Sequence, residues 1–276
     1  MSKPRRHFIL PDLQIKPGVP TDHLEWIGKA IADYDPDVVV HLGDHWDFES
    51  LSSWSAPGSV DLEGLRYQDD LDAGNAALER LQSSMGGWKG RKVILRGNHE
   101  FRLERAIAAS PKWVGAVGAH QFVDRKLGWE VVDYVHGSPG AITIDGVTYA
   151  HYFANPNTGK PISGTISNRL AKIGTTFVQG HVQGLLQGSV QYATGQMRHG
   201  IVAGSCYLHD EPYKGMANSH WRGVVVLNEV RDGTFCEMPL TLDYLCRRYT
   251  GTSLARYLQR KYRNAKQRFS VARSAA

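Results

Sequence analysis

Early in the chain, short apolar runs each close on a polar turn, and stretches with helical spacing separate them. His7 to Leu10 reads as a strand ending at Pro11-Asp12-Leu13-Gln14. Thr21 is placed to cap a helix that carries Leu24, Ile27 and Ile31 on one side, until Asp35-Pro36-Asp37 stops it. Val38 to Leu42 is a buried strand delivering Gly43-Asp44-His45-Trp46-Asp47, and Leu62, Leu65, Leu71, Leu78 and Leu81 predict a helix over 61–85 that Gly86-Gly87 ends. Val93 to Leu95 leads through Arg96 into Gly97-Asn98-His99-Glu100, and Phe101 to Ala109 continues as a helix. Strand, helix and strand in alternation predict a parallel sheet with its polar turns at the carboxyl ends, where such sheets bind ligands.

The second half reads differently. Asp145-Gly146 between Ala141–Ile144 and Val147–Phe153 is a two-residue hairpin signal, and Asp232-Gly233 repeats it. The first of these hairpins carries His151. Thr165 to Ile173 has helical spacing, and Thr176 to Gln179 leads to Gly180-His181-Val182-Gln183. The rest to about Leu242 is mostly strands, the region 111–135 is partly helical, and a terminal helix is predicted from Thr252 to Phe269. There is no internal repeat.

The 276 residues, 42% of them hydrophobic, are enough for one substantial core. One domain over 1–250 followed by a basic helix or tail over 251–276 is the expected organisation. No apolar run is long enough for a membrane span, and no secretory signal opens the chain. Cys206, Cys236 and Cys246 have no paired spacing, which fits free thiols in a reducing compartment, and a cytoplasmic location in a bacterial or virus-infected cell is expected. The net charge of +5 is uneven: residues 241–276 hold nine Lys or Arg against Asp243 alone, so the body before them is net acidic. That cationic end could follow a nucleic-acid backbone, or could be a solvated helix face.

Five polar stations therefore stand in order: Asp12-Leu13-Gln14, Gly43-Asp44-x-x-Asp47, Gly97-Asn98-His99-Glu100, His151, and Gly180-His181-x-Gln183. Carboxylate, amide and imidazole groups converging from separate strand ends are what a two-metal hydrolytic site requires. From about residue 8 to 184 this order resembles the calcineurin-like metallophosphoesterase superfamily, whose pattern is D-x-H, G-D-x-x-D, G-N-H-[DE], a lone H, and G-H-x-H. The resemblance implies an α/β sandwich of two mixed β-sheets flanked by helices, and a metal-dependent phosphoesterase. It further implies that Asp44 bridges two metals, that Asn98, His151 and His181 complete the shell of the second, and that Asp12 binds the first. His99 would contact the phosphate and protonate or stabilise the leaving oxygen, Asp47 would orient His99, and a metal-bridging hydroxide would attack phosphorus.

Two positions depart from that pattern. Gln14 and Gln183 stand where the superfamily has histidines, both on the first metal. Amide oxygens there would make a harder, weaker site, better suited to Mn²⁺ or Mg²⁺ than to Zn²⁺, with Mn²⁺ first and Mg²⁺, Zn²⁺, Fe and Ni²⁺ as alternatives; a one-metal or impaired enzyme is the competing reading. His45 could supply a substitute imidazole, although a strand-end neighbour tends to point away. His41 reads as packing, and His209 in Leu208-His209-Asp210-Glu211 could reach the site. Trp46, Phe48 and Trp54 could stack on a base or pack the loop. Arg102 could bind substrate phosphate or pair with a nearby acid.

The superfamily covers several substrates, so the fold does not choose among them. Asp47 is followed by Phe48-Glu49 rather than the Arg-Gly of protein phosphatases. The Pro-Asp-x-Gln opening is similar to that of members encoded by bacterial viruses. With the cationic end, a nucleic-acid or nucleotide phosphodiesterase is expected; a small-molecule phosphomonoesterase and a catalytically silent nucleic-acid-binding protein are the alternatives. Oligomeric state has no signature.

Overall fold

The structure, a computed structural model, describes residues 3–52, 59–211, 214, 217–265 and 269–272. Its first half runs β1 (Arg5–Leu10), α1 (His23–Tyr34), β2 (Val38–His41), α2 (Tyr67–Ser84), β3 (Arg91–Leu95), α3 (Phe101–Ala109) and β4 (Glu130–Val132). There follow β5 (Ala141–Ile144), β6 (Val147–Ala150), α4 (Ile166–Ile173), β7 (Phe177–Gln179), β8 (Leu185–Gln191) and β9 (Met197–Ala203). The chain closes with β10 (Gly223–Arg231), β11 (Thr234–Thr241), α5 (Leu242–Thr250) and α6 (Leu254–Lys261).

Among the described residues two mixed sheets form, in the orders β11-β10-β1-β2-β3-β4 and β5-β6-β7-β9-β8. β1 to β4 are parallel, and the late β10 inserts antiparallel beside β1. The apolar runs Phe8–Leu10, Val38–Val40 and Val93–Leu95 are explained by burial on both faces. Ile9, Val38, Val40, Val93 and Leu95 face the second sheet, whereas Phe8, Leu10, Val39 and Ile94 face the layer of α1, α2, α5 and α6. On the far side, α4 covers the second sheet through Ile166 and Leu170 on Phe177 and Val202. The result is the α/β sandwich of two mixed sheets flanked by helices.

Between the sheets His7 is fully buried, with Nδ1 2.6 Å from Tyr149 Oη and Nε2 2.9 Å from Asp145. The Asp145-Gly146 and Asp232-Gly233 turns both have two left-handed residues, as the hairpin signal requires. They also meet: Gly233 N donates to Asp145 O at 3.0 Å, and a Cβ on Gly146 would lie 2.3 Å from Gly233 N.

Three expected boundaries change. The helix predicted over 61–85 starts only at Tyr67, after a single 3₁₀ turn at Val60–Leu62, because Gly64 takes φ +77° and breaks the path. Thr21 does not cap α1; its hydroxyl accepts from Arg80 Nη1 at 2.8 Å. The terminal helix predicted over 252–269 is shorter, since Ser253 caps α6 and α6 stops at Lys261, and an unpredicted helix, α5, precedes it and ends at Gly251 (φ +72°). Leu254 and Leu258 of α6 are buried in the main core, and Asp22 at the start of α1 receives Lys261, Tyr262 and Tyr257 from it. Lys266, Arg268 and Arg273 lie outside the described residues.

Candidate active site

The turns after β1, β2 and β3 are locked together before any side chain is considered. Leu13 N and Gln14 N donate to Asp44 O, Ile15 N donates to His45 O, and Asp47 N donates back to Ile15 O. Glu100 completes the lock. Its Oε1 accepts from His45 N (2.6 Å) and Trp46 N (3.1 Å), and its Oε2 from Gly97 N (2.7 Å) and Asp44 N (3.1 Å). Two glycines make the approach possible: a Cβ on Gly97 would stand 2.1 Å from Asp44 Oδ1, and one on Gly180 2.5 Å from Asp12 Oδ1. Gln14, Asp44 and His181 hold left-handed φ values of 45°, 49° and 66°, the backbone strain found where side chains are aimed for function.

This frame brings four predicted ligands together. Asp44, His151 and His181 each offer an atom within 4.8 Å of the others. Asn98 Oδ1 lies between the imidazoles, 2.9 Å from His151 Nε2 and 2.8 Å from His181 Nδ1, and Asp44 Oδ2 is 3.3 Å from His151 Nε2. His151 Nδ1 donates to Leu42 O at 2.9 Å, so a neutral ring turns the lone pair of Nε2 toward the amide and carboxylate oxygens. Acceptors that face one another in a buried site call for a positive charge among them. The same demand shows in the titration: burial disfavours the His151 cation, but Asp44, Asp12 and Glu100 outweigh it and raise the group to about 9. Burial brings His181 down to about 4, aided by the charge of His151, so it stays neutral as a ligand must. The donor set fits a divalent cation.

The other predicted ligands adjoin this group. Asp12 is fully buried; its Oδ1 accepts from His181 N at 3.1 Å, and its Oδ2 has no hydrogen-bond partner. Burial pushes the Asp12 carboxyl up to about 7 against the pull of His151. Gln14 is buried with Oε1 likewise unpartnered, and two orphaned oxygens on one loop fit cation ligands. Gln183 differs, because its Oε1 accepts from Tyr207 Oη at 2.7 Å.

His99 and Asp47 pair: His99 Nδ1 donates to Asp47 Oδ1, which leaves Nε2 facing the cluster, 3.7 Å from Asp44 Oδ2. Burial opposes charge on His99, but Asp44 and Asp47 prevail and raise its pKa. Burial likewise opposes charge on Asp47, yet His99, Lys16 and Arg102 hold its carboxyl below the usual range. Arg102 pairs with an acid and also reaches the site. Its Nη1 donates to Asp47 O (2.7 Å) and Phe48 O (3.3 Å), and its Nη2 stands 3.3 Å from His99 Nε2.

Other candidates fall away. His45 turns from the site to bond His41 Nε2 and Gly74 O. Trp46 and Phe48 are fully buried, stacked on Phe122 and Tyr67 respectively, and so pack the loop; Trp54 lies outside the described residues. His209 bonds Glu211, not a ligand. The sequence reading missed Lys16, Glu211 and Tyr207. The only local hint was a lysine set between Ile15 and Pro17, two positions after a predicted ligand.

A family model for the calcineurin-like phosphoesterases matches residues 8–200, which contain all of these stations. The chain belongs to the calcineurin-like phosphoesterase family and is a metal-dependent phosphoesterase. Among solved structures, a dimetal phosphatase from Danio rerio is similar over 87% of this chain and 97% of its own, at 10% identity and a TM-score of 0.42. No curated protein matches the chain. Among the described residues no helix is long and apolar enough to cross a membrane.

Proposed function

We propose that this phosphoesterase cleaves phosphodiesters of nucleic acid or nucleotides at a centre of two divalent cations, Mn²⁺ being the best suited. Asp44, Asn98, His151 and His181 would hold one cation, and Asp12, Gln14 and Gln183 would join Asp44 around the other. Bound there, the cations would supply Lewis acidity toward the phosphoryl oxygens and lower the pKa of the attacking water. The chain's own part is positional. Asp47 keeps His99 Nε2 turned to the reacting phosphate, where it stabilises the leaving oxygen, and Arg102 adds positive charge beside it.

The observation that carries the reading is the buried Asp47–His99 pair facing the ligand cluster, since binding alone would not need it. The nucleic-acid preference draws support from the C-terminal segment. Beyond α6 the chain returns to Asp210, which accepts from Ser270 N at 2.9 Å and Ser270 Oγ at 2.7 Å. Asp210 adjoins Glu211, whose Oε2 is 2.9 Å from Lys16, itself 3.3 Å from Asp47. Arg256, Arg260 and Arg263 stand on the same C-terminal segment, ahead of Ser270.

The test is hydrolysis of bis(p-nitrophenyl) phosphate, p-nitrophenyl phosphate and single- and double-stranded DNA with Mn²⁺. Diester turnover above monoester turnover is expected, reduced about 10²–10⁴-fold in His99→Ala. Metal content near two equivalents is expected, and below about 1.5 would overturn the two-metal centre. Because α6 belongs to the core, the cationic end is tested by Arg256, Arg260 and Arg263→Gln rather than truncation. Weaker DNA binding with a shallower salt dependence is expected, and unchanged affinity would remove the nucleic-acid argument.

A further inference from the structure

Lys16 is a charged side chain only 8% exposed, enclosed by three carboxylates. Its Nζ lies 3.3 Å from Asp47 Oδ2, 3.2 Å from Glu49 Oε1 and 2.9 Å from Glu211 Oε2. The two oxygens of Asp47 are therefore divided, Oδ1 to His99 and Oδ2 to Lys16, while Arg102 takes the carbonyl of the same residue. A carboxylate held at both oxygens and at its own peptide cannot rotate. The ring bonded to Oδ1 is held with it.

Lys16 is fixed in turn from behind. Glu211 is 1% exposed, and its Oε1 binds His209 Nε2 at 2.8 Å. Its peptide is gripped on both sides by one side chain, since Glu211 N donates to Asn218 Oδ1 and Asn218 Nδ2 donates to Glu211 O, each at 2.8 Å. Glu211 and Asn218 lie beyond the segment 8–200 that matches the family model. The support thus comes from a part of the chain that the family motifs do not include.

We propose that Lys16, braced by Glu211, is a positioning residue for the His99–Asp47 pair, setting the angle at which His99 presents Nε2 to the leaving oxygen. Removing one partner of a buried ion pair leaves the others uncompensated, so without Lys16 the Asp47 and Glu211 carboxylates stand unpaired. A positioning role adds that Oδ2 of Asp47 then has nothing to hold it, and this shows in the leaving-group dependence of the rate rather than in stability. The inference rests on the reading of His99 as the group that stabilises the leaving oxygen. Its loss is therefore felt most where the leaving group is poor.

The experiment compares kcat and KM of the Mn²⁺-loaded protein on bis(p-nitrophenyl) phosphate and on diphenyl phosphate, whose leaving group is the poorer. Lys16→Met is expected to lower kcat about 30-fold on diphenyl phosphate and about 3-fold on the nitrophenyl ester, a part of the 10²–10⁴ that a positioned acid contributes. KM should stay within about twofold, since ground-state binding is not at issue. Lys16→Arg should restore most of the rate, and Lys16→Met added to His99→Ala should cost nothing further. Glu211→Gln should give the same pattern in weaker form, and it carries the test if Lys16→Met fails to fold. Equal losses on both esters in Lys16→Met, or additive losses in the double variant, overturn the inference if His99→Ala alone shows the leaving-group dependence. Equal losses in His99→Ala overturn the reading of His99, and the role of Lys16 falls with it.

Discussion

Glu100→Gln offers a measurement of how far one buried carboxylate assembles the site. Each of its oxygens accepts two backbone N–H groups, and the four donors come from the turns after β2 and β3. Glutamine keeps the volume but has a single oxygen. Whichever way the amide turns, its NH₂ faces one pair of donors: His45 N with Trp46 N, or Asp44 N with Gly97 N. Each buried N–H left without an acceptor costs about 1–3 kcal/mol, so the loss should total roughly 2–6 kcal/mol. With a urea m-value of about 3 kcal/mol/M, the unfolding midpoint should fall by roughly 0.7–2 M. The exposed Glu104, on the helix that follows Glu100, is the control, and Glu104→Gln should change stability by less than about 0.5 kcal/mol. Because Asp44 sits in the loosened turn, divalent-cation affinity should drop alongside. A stability change below about 1 kcal/mol in Glu100→Gln would refute the claim that this side chain knits the two motifs.

Two further perturbations follow from the same geometry. Gly97→Ala places a Cβ where Asp44 Oδ1 lies 2.1 Å away, so the ligand must move; cation affinity by calorimetry should fall about 10–100-fold, as when a ligand's support is removed, and unchanged affinity would show that the turn can yield. His23 is fully buried and burial lowers its pKa to about 3, so the unfolded chain binds its proton first; stability is complete above about pH 6.5 and is lost as pH falls toward 3. At pH 4.5 that single group should cost the protein about 2–3 kcal/mol relative to pH 7, and His23→Leu should flatten the pH dependence of the urea midpoint by that amount.

What could be read from the sequence was what depends on local pattern. β1 to β3 were visible because the stretch of a strand buried on both faces has to be apolar, and the two hairpins because Asp-Gly supplies the left-handed pair that their turns need. Phe101–Ala109 was found at its full length. The helix before β3 was overextended because Leu62 and Leu65 keep its spacing, and spacing does not register that Gly64 has left the helical path. The terminal helix was placed after Gly251, where Gly-Thr-Ser is both a stop and a start, but it was carried past Lys261, and α5 before it was missed. The place of β10 beside β1 joins residues more than two hundred positions apart, and no local rule reaches that far.

The site divides along the same line. Asp44, Asn98, His151 and His181 were legible because each closes its own apolar run, and the structure gathers them around a frame of backbone bonds. Lys16, Glu211 and Tyr207 were not, since their meaning lies wholly in partners: Glu211 is 195 positions from Lys16, and Tyr207 is 24 from Gln183. These partners share a location. Ser205 bridges to Asp12, Cys206 N donates to Asp12 O, Tyr207 holds Gln183, and Glu211 holds Lys16. The segment 205–211 therefore lines the side of the site that carries Asp12, Lys16 and Gln183. A histidine ligand is oriented by a bond to its second ring nitrogen, as Leu42 O does for His151. An amide has no second nitrogen to hold in that way. Gln183 is held through its own oxygen instead, by Tyr207 from beyond the matched segment, so the fixing of this side of the site falls to the connection between β9 and β10 rather than to the five stations.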